Sequence, residues 1–179
     1  MRGFSIRDLF VLGCYTGLRF SNYSTIDLSY LKNNIYTTYQ VKTKDKISIP
    51  IHPNVQRIID KYNGNLPVCP TNQEFNRTLK DLGQRIPEFN IPFEKLITRG
   101  REKIIEVNQK FSLIQSHTAR RSFCTNMYIM GIPIPTIMAI SGHKTEKNFK
   151  KYIKASGIEH AHIMKGYWDK SYLKNDEKN

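Results

Sequence analysis

Acidic side chains are scarce in this chain: 15 Asp and Glu stand against 28 Lys and Arg over 179 residues, a formal charge of +13 with a pI near 9.7. The imbalance favours a polyanionic partner, since each neutralised phosphate releases condensed counterions. Nucleic acid is therefore the expected partner. Cysteine is rare as well. Cys14, Cys69 and Cys124 lie far apart with no CxxC pair, which excludes a disulfide framework and a thiolate zinc site and leaves three small buried hydrophobes. No apolar run has the length of a membrane span, and Arg7 with Asp8 interrupts the stretch near the amino terminus, so no signal peptide is expected. Neither a lipidation site nor a polybasic amphipathic helix is present, which excludes a membrane partner and points to the cytoplasm. Internal repeats and low-complexity tracts are absent too. No Asp/Glu cluster has metal-binding spacing, so neither a metal nor any other cofactor is expected.

What remains suits one globular domain, burying roughly 70% of its unfolded surface. Ser5 and Asp8 resemble a capping box that opens a helix over residues 6–14, and Gly17 bends the chain before Ser21 caps a short helix to Asp27. From Asn34 to Ile51 the period changes to two, which predicts a β-hairpin with a polar turn at Lys42-Thr43-Lys44-Asp45. Pro53 opens a helix through Tyr62, and Thr71 with Glu74 caps another to Arg85. Residues 92–98 and 102–108 pair as a second hairpin around Arg99-Gly100. Helices follow over 117–130, with Gly131 as the residue after its cap, over 133–141, over Thr145–Lys154 carrying Tyr152, and over 157–172. The polar stretch 174–179 reads as a disordered tail. The expected class is mainly α with a small antiparallel β-sheet, an α+β fold with one domain over residues 1–173.

Between His117 and Tyr152 the chain carries His117-Thr118-Ala119-Arg120, then Ser141-Gly142-His143, then Lys151-Tyr152. On the 117–130 helix Ala119, Phe123, Met127 and Met130 share a stripe, which places His117 and Arg120 at the rim of a core, facing a cleft. Together with Arg19 and the hairpin lysines these residues suit phosphodiester chemistry. Two arginines fork onto non-bridging oxygens and stabilise a pentavalent transition state. A lysine protonates a leaving oxygen, a tyrosine attacks, and histidines act as base or donor.

The runs Thr16-Gly17-Leu18-Arg19 and His117-Thr118-Ala119-Arg120-Arg121-Ser122-Phe123, the pair Gly142-His143, and a tyrosine nine residues after that histidine resemble the catalytic domain of tyrosine recombinases, the phage-type integrases. The resemblance spans about residues 4 to 165. Gln40-Val41-Lys42-Thr43 followed by Ile49-Pro50-Ile51 also resembles the hairpin of integrases from Bacteroidetes-type mobile elements. It implies the recombinase catalytic-domain fold, with Arg19 and Arg120 as phosphate clamp, Lys42 as general acid, His117 and His143 as assisting groups and Tyr152 as nucleophile. It further implies a 3′-phosphotyrosyl intermediate formed without metal or ATP, and strand exchange through a Holliday junction. The partners implied are double-stranded DNA, further copies forming a tetramer on it, and accessory DNA-bending proteins, in a nucleoid setting. Lys44, Lys46, Arg121, Lys144 and Lys151 are the expected contacts to the DNA backbone. Two departures stand out. Asn22 occupies a position where such integrases usually carry an acidic residue, which weakens the buttress of Arg19. The chain also begins where the family's catalytic domain begins, so the expectation is a fragment or a truncated gene product without the amino-terminal helical domain, for which DNA binding without cleavage is the alternative.

Other readings carry less. A helix-turn-helix module over 117–143 would need a polar recognition helix, whereas Ile134, Ile137, Met138 and Ile140 require burial. A type IB topoisomerase shares the chemistry but not the Thr-Gly-Leu-Arg context. His52, His160 and His162 lack further ligands at metal spacing and read as surface or packing histidines.

Overall fold

The computed structural model describes residues 2–41 and 44–176. Lys42, on which the resemblance places the general acid, and Thr43 lie outside the described residues, as do 177–179 of the expected tail. Helix α1 (Arg2–Thr16) turns Ile6, Leu9 and Leu12 into the main core. It begins before the Ser5–Asp8 pair, so neither residue caps it. Asp8 has a tertiary role instead: it is buried and accepts bonds from Arg7, from Lys61 and from the Tyr62 hydroxyl at 2.9 Å, tying α1 to the end of α3 (Pro53–Lys61).

Gly17 ends α1 at φ +66°, where a Cβ would lie 2.4 Å from the Phe123 ring. Only glycine suits both the left-handed backbone and that approach. The short helix α2 (Phe20–Tyr23) starts directly after Arg19, which leaves Ser21 inside it rather than at its cap. Strands β1 (Leu31–Lys32), β2 (Ile35–Tyr39) and β3 (Lys46–Pro50) form an antiparallel sheet in that order. Tyr36 pairs with Ile49 and Thr38 with Ile47, and Tyr36, Ile47 and Ile49 enter the main core.

Helix α3 and helix α4 (Asn72–Gln84) close that core with Val55, Ile59, Phe75 and Leu79; the Thr71 hydroxyl caps α4 by accepting from the Glu74 amide. Strands β4 (Pro92–Arg99) and β5 (Glu102–Gln109) form a separate two-stranded ribbon, closed by Gly100 at φ +62°. Helices α5 (Ser116–Ile129), α6 (Ile134–Ser141), α7 (Glu146–Lys150) and α8 (Gly157–Asp176) complete the chain. Phe123, Cys124, Ile137 and Phe149 build a second, smaller core, and Ile140 packs against both cores. Burial of Ile137 in α6 removes the polar recognition face that a helix-turn-helix would need.

The α+β class with small antiparallel sheets holds, with two corrections near the end. Helix α7 stops at Lys150, so Tyr152 lies beyond it; the Tyr152 amide bonds to Phe149 O, a tightened last turn that lets Ile153 reach the second core. Helix α8 continues to Asp176, three residues into the stretch expected to be a tail. Among the described residues no helix is long and apolar enough to cross a membrane.

Candidate active site

Arg120 is the centre of the site, and it is not at a rim. Its side chain, 1% exposed, lies between the two cores. A buried guanidinium requires acceptors to offset desolvation. Nη1 donates to Gly17 O at 2.7 Å and Ser141 O at 2.5 Å, which joins the turn before Arg19 to the end of α6. The expected rim position fails because these carbonyls, supplied by two distant segments, draw the side chain inward. Burial, and then the charge of Arg19, lowers the Arg120 pKa to about 10.

His143 follows Gly142, which sits at φ +68° as the cap of α6. The Ser141 hydroxyl lies 2.6 Å from Ile137 O and 2.8 Å from His143 Nδ1. A hydroxyl has one proton. It donates to the carbonyl and therefore accepts from Nδ1–H; Arg120 Nη2 lies 3.1 Å from Nε2 and 3.3 Å from Nδ1, and of the two only Nε2 then has a lone pair to accept with. This tautomer is neutral, consistent with a pKa pushed down to about 3 by burial and by the charges of Arg120, Arg19 and His117. His117 is exposed yet also shifted down, by partial desolvation and by Arg121, Arg120 and Arg19.

The Tyr152 ring meets His143 edge-on at 4.5 Å between centroids and His117 at 5.1 Å, with the Arg120 guanidinium carbon 5.5 Å from its centre. His117, Arg120 and His143 thus gather around Tyr152, and the charge of Arg19 acts on all three of them. Two guanidinium nitrogens, Arg19 Nη1 and Arg120 Nε, are buried without an acceptor. Buried donors are almost always satisfied, so an unpaired pair suits an anion. Asn22 donates Nδ2 to Tyr39 O at 2.9 Å while its Oδ1 stays unpaired.

The remaining expected residues lie outside this cluster. Lys44, Lys46, Arg121, Lys144 and Lys151 are all exposed. Lys144 is held by Asp45 at 2.7 Å, and Lys151 bonds Asn148 Oδ1 at 3.3 Å. His52 caps α3 and stacks on Tyr15, and His160 packs against Tyr128. The three cysteines are free, and burial raises the pKa of each. Among the described residues no group of three His, Cys, Asp or Glu would hold a metal.

Sequence reasoning gave no role to Gln40 or Ser141. The Gln40 side chain, buried at the end of β2, donates Nε2 to Ser141 O at 3.0 Å, the carbonyl that also receives Arg120. The available signal was alternation: Gln40 shares the inward face of Tyr36, four residues earlier, and a polar side chain on an inward face requires a partner.

The chain matches the phage integrase family over residues 3–159. No curated protein matches it. Among solved structures it is similar to XerA recombinase, with a TM-score of 0.62 at 14% identity over 91% of this chain and 62% of that one. It is similar to the Tn1549 transposon integrase in complex with a circular intermediate DNA, with a TM-score of 0.55 at 18% identity over 88% and 57%. The catalytic domain of bacteriophage HP1 integrase gives 0.51 at 21% over 80% and 71%. At these identities the likeness is one of fold, and the chain spans 62% and 57% of the first two proteins' lengths.

Proposed function

Because this chain belongs to the phage integrase family, we propose that it is the catalytic domain of a site-specific DNA recombinase that cuts and rejoins strands through Tyr152. The observation that carries the reading is a pair of unpaired buried guanidinium nitrogens, Arg19 Nη1 and Arg120 Nε, with the Arg120 guanidinium carbon 5.5 Å from the centre of the Tyr152 ring. A phosphodiester supplies the missing acceptors. With its non-bridging oxygens on the two guanidiniums, the charge that builds in the pentavalent transition state meets donors already in place.

Tyr152 Oη bonds to phosphorus, its proton passing to a base for which neutral His117 is the candidate, while the bond to the 5′-oxygen breaks and that oxygen takes a proton from Lys42. The product is a 3′-phosphotyrosyl link and a free 5′-hydroxyl. Attack by a 5′-hydroxyl of a second duplex reverses the step, so rejoining requires neither ATP nor metal. His143 begins as an acceptor from Arg120; an anion alongside raises its pKa and converts Nε2 to a donor. Exchange of the second strand pair proceeds through a Holliday junction in a tetramer on double-stranded DNA, with DNA-bending proteins as accessory partners in a cytoplasmic, nucleoid setting. The exposed Lys44, Lys46, Arg121, Lys144 and Lys151 contact the backbone. The Gln40–Thr43 and Ile49–Ile51 runs support an origin in a Bacteroidetes-type mobile element.

The test is incubation with a nicked suicide duplex and a denaturing gel. A covalent adduct with the wild-type chain and none with Tyr152→Phe is expected; equal adduct from both overturns the role of Tyr152. The net charge of +13 supports a second reading, in which this chain binds DNA but does not cleave it. Retained duplex binding with no adduct would favour it.

A further inference from the structure

Tyr152 sits on a segment that no helix or strand holds, since α7 ends at Lys150 and α8 begins at Gly157. Something else must fix its position relative to Arg120. On its amino side the Tyr152 amide bonds Phe149 O at 2.8 Å, and Phe149 is fully buried. On its carboxyl side the Ile153 amide bonds Lys150 O at 3.3 Å, and one hydroxyl makes the side-chain tie to α5. Thr125 Oγ1 donates to Tyr152 O at 2.9 Å and accepts from Lys154 N at 3.2 Å.

A helical threonine ordinarily returns its hydroxyl to the carbonyl four residues earlier. Thr125 spends its single proton across a gap of 27 residues instead. The two bonds flank Ile153, whose side chain packs in the second core with Phe123 and Phe149. The chain on both sides of residue 153 is thereby clamped to α5, the helix that carries Arg120.

We propose that Thr125 is a positioning residue for the nucleophile: its hydroxyl clamps the segment after Tyr152 to α5, so that the phenol and the Arg120 clamp keep one fixed separation within a single chain. The inference rests on the recombinase reading for its functional consequence, but the clamp itself is independent of it. The two substitutions to compare are Thr125→Val, which keeps the shape and deletes the hydroxyl, and Thr125→Ser, which keeps the hydroxyl and deletes the methyl.

Single-turnover adduct formation on the nicked duplex, at saturating protein, is expected to slow about 10- to 100-fold in Thr125→Val, because displaced reacting atoms lose near-attack geometry. Duplex Kd should stay within about twofold, since neither the phosphate clamp nor the surface charge changes. Thr125→Ser should restore the cleavage rate, which a purely volumetric role would not predict. Hydrogen exchange at the Lys154 amide should accelerate about tenfold in Thr125→Val and not in Thr125→Ser. If Thr125→Val cleaves at the wild-type rate while Tyr152→Phe does not cleave, the positioning role is overturned and the recombinase reading stands. If the wild-type chain forms no adduct, that reading fails on its own, and the clamp is decided by exchange: unchanged Lys154 exchange in Thr125→Val overturns it, accelerated exchange supports it. Thr125→Ala replaces Thr125→Val in both measurements should the valine variant not fold.

Discussion

The two β-hairpins are built alike and buried differently. Strands β2 and β3 pair in continuous antiparallel register, as do β4 and β5, with Leu96 opposite Ile105 as Thr38 is opposite Ile47. Yet Ile49 is 1% exposed and Ile105 60%. The first hairpin lies on the main core and ends at Gln40, against the carbonyl that holds Arg120. The second turns Leu96, Ile105 and Val107 toward solvent. Pairing therefore makes a ribbon, and packing decides whether the ribbon belongs to the site. An isolated hairpin is marginal in water, so the first should be the more protected of the two.

Two glycines in the same left-handed conformation, Gly142 and Gly100, should separate the hairpins most strongly. At Gly142 a Cβ would lie 1.5 Å from Gln40 Nε2, at the junction of the first hairpin with the site, whereas at Gly100, the tip of the second, nothing lies within 4 Å. Gly142→Ala should lower stability by about 4 kcal/mol or more in denaturant unfolding and abolish adduct formation. Gly100→Ala should cost only the backbone strain, about 1 kcal/mol. Next in size is the pair of isoleucines: Ile49→Ala should cost about 2–5 kcal/mol, and Ile105→Ala less than about 0.5 kcal/mol. Equal costs would mean that the second hairpin also buries its face.

The two hairpins should also respond differently to pH. The native His143 pKa of about 3 lies below its ordinary 6.5, so the unfolded state binds the extra proton between them. Stability contributed by the neutral imidazole is complete above 6.5 and is lost as pH falls toward 3. Exchange protection of the β2–β3 amides, docked through Ser141 beside His143, should decline over that window more than that of β4–β5. DNA binding should show the opposite sign: the phosphate favours protonated His143, so binding takes up a proton and tightens as pH falls, measurable by titration in buffers of different ionisation enthalpy. The smallest effect is expected for Leu96→Lys, within about 0.5 kcal/mol in stability, with a gain in solubility from removing exposed apolar surface.

Most elements were legible because their signals are local. Alternation over 35–39 and 46–50, Pro53 and Thr71 at helix starts, and the glycines at 131 and 142 each encode a backbone conformation within a few residues. Misplacements fell where a tertiary contact overrode a local cue. The capping pair Ser5–Asp8 yielded because Asp8 is claimed by Lys61 and Tyr62. The helix around Tyr152 stopped short where Ile153 enters the second core and Thr125 takes the Tyr152 carbonyl.

The sequence by itself determined the residue types and spacings of the site, His117 with Arg120 one turn later and Tyr152 nine residues after His143, because helical period and turn chemistry act over short range. Only the tertiary structure decided that Arg120 is buried, that Gln40 shares a carbonyl with it across 101 residues of chain, and that Thr125 holds the Tyr152 segment. Backbone carbonyls are identical in every residue, so which of them meets a buried donor is fixed by packing and leaves no mark in the sequence.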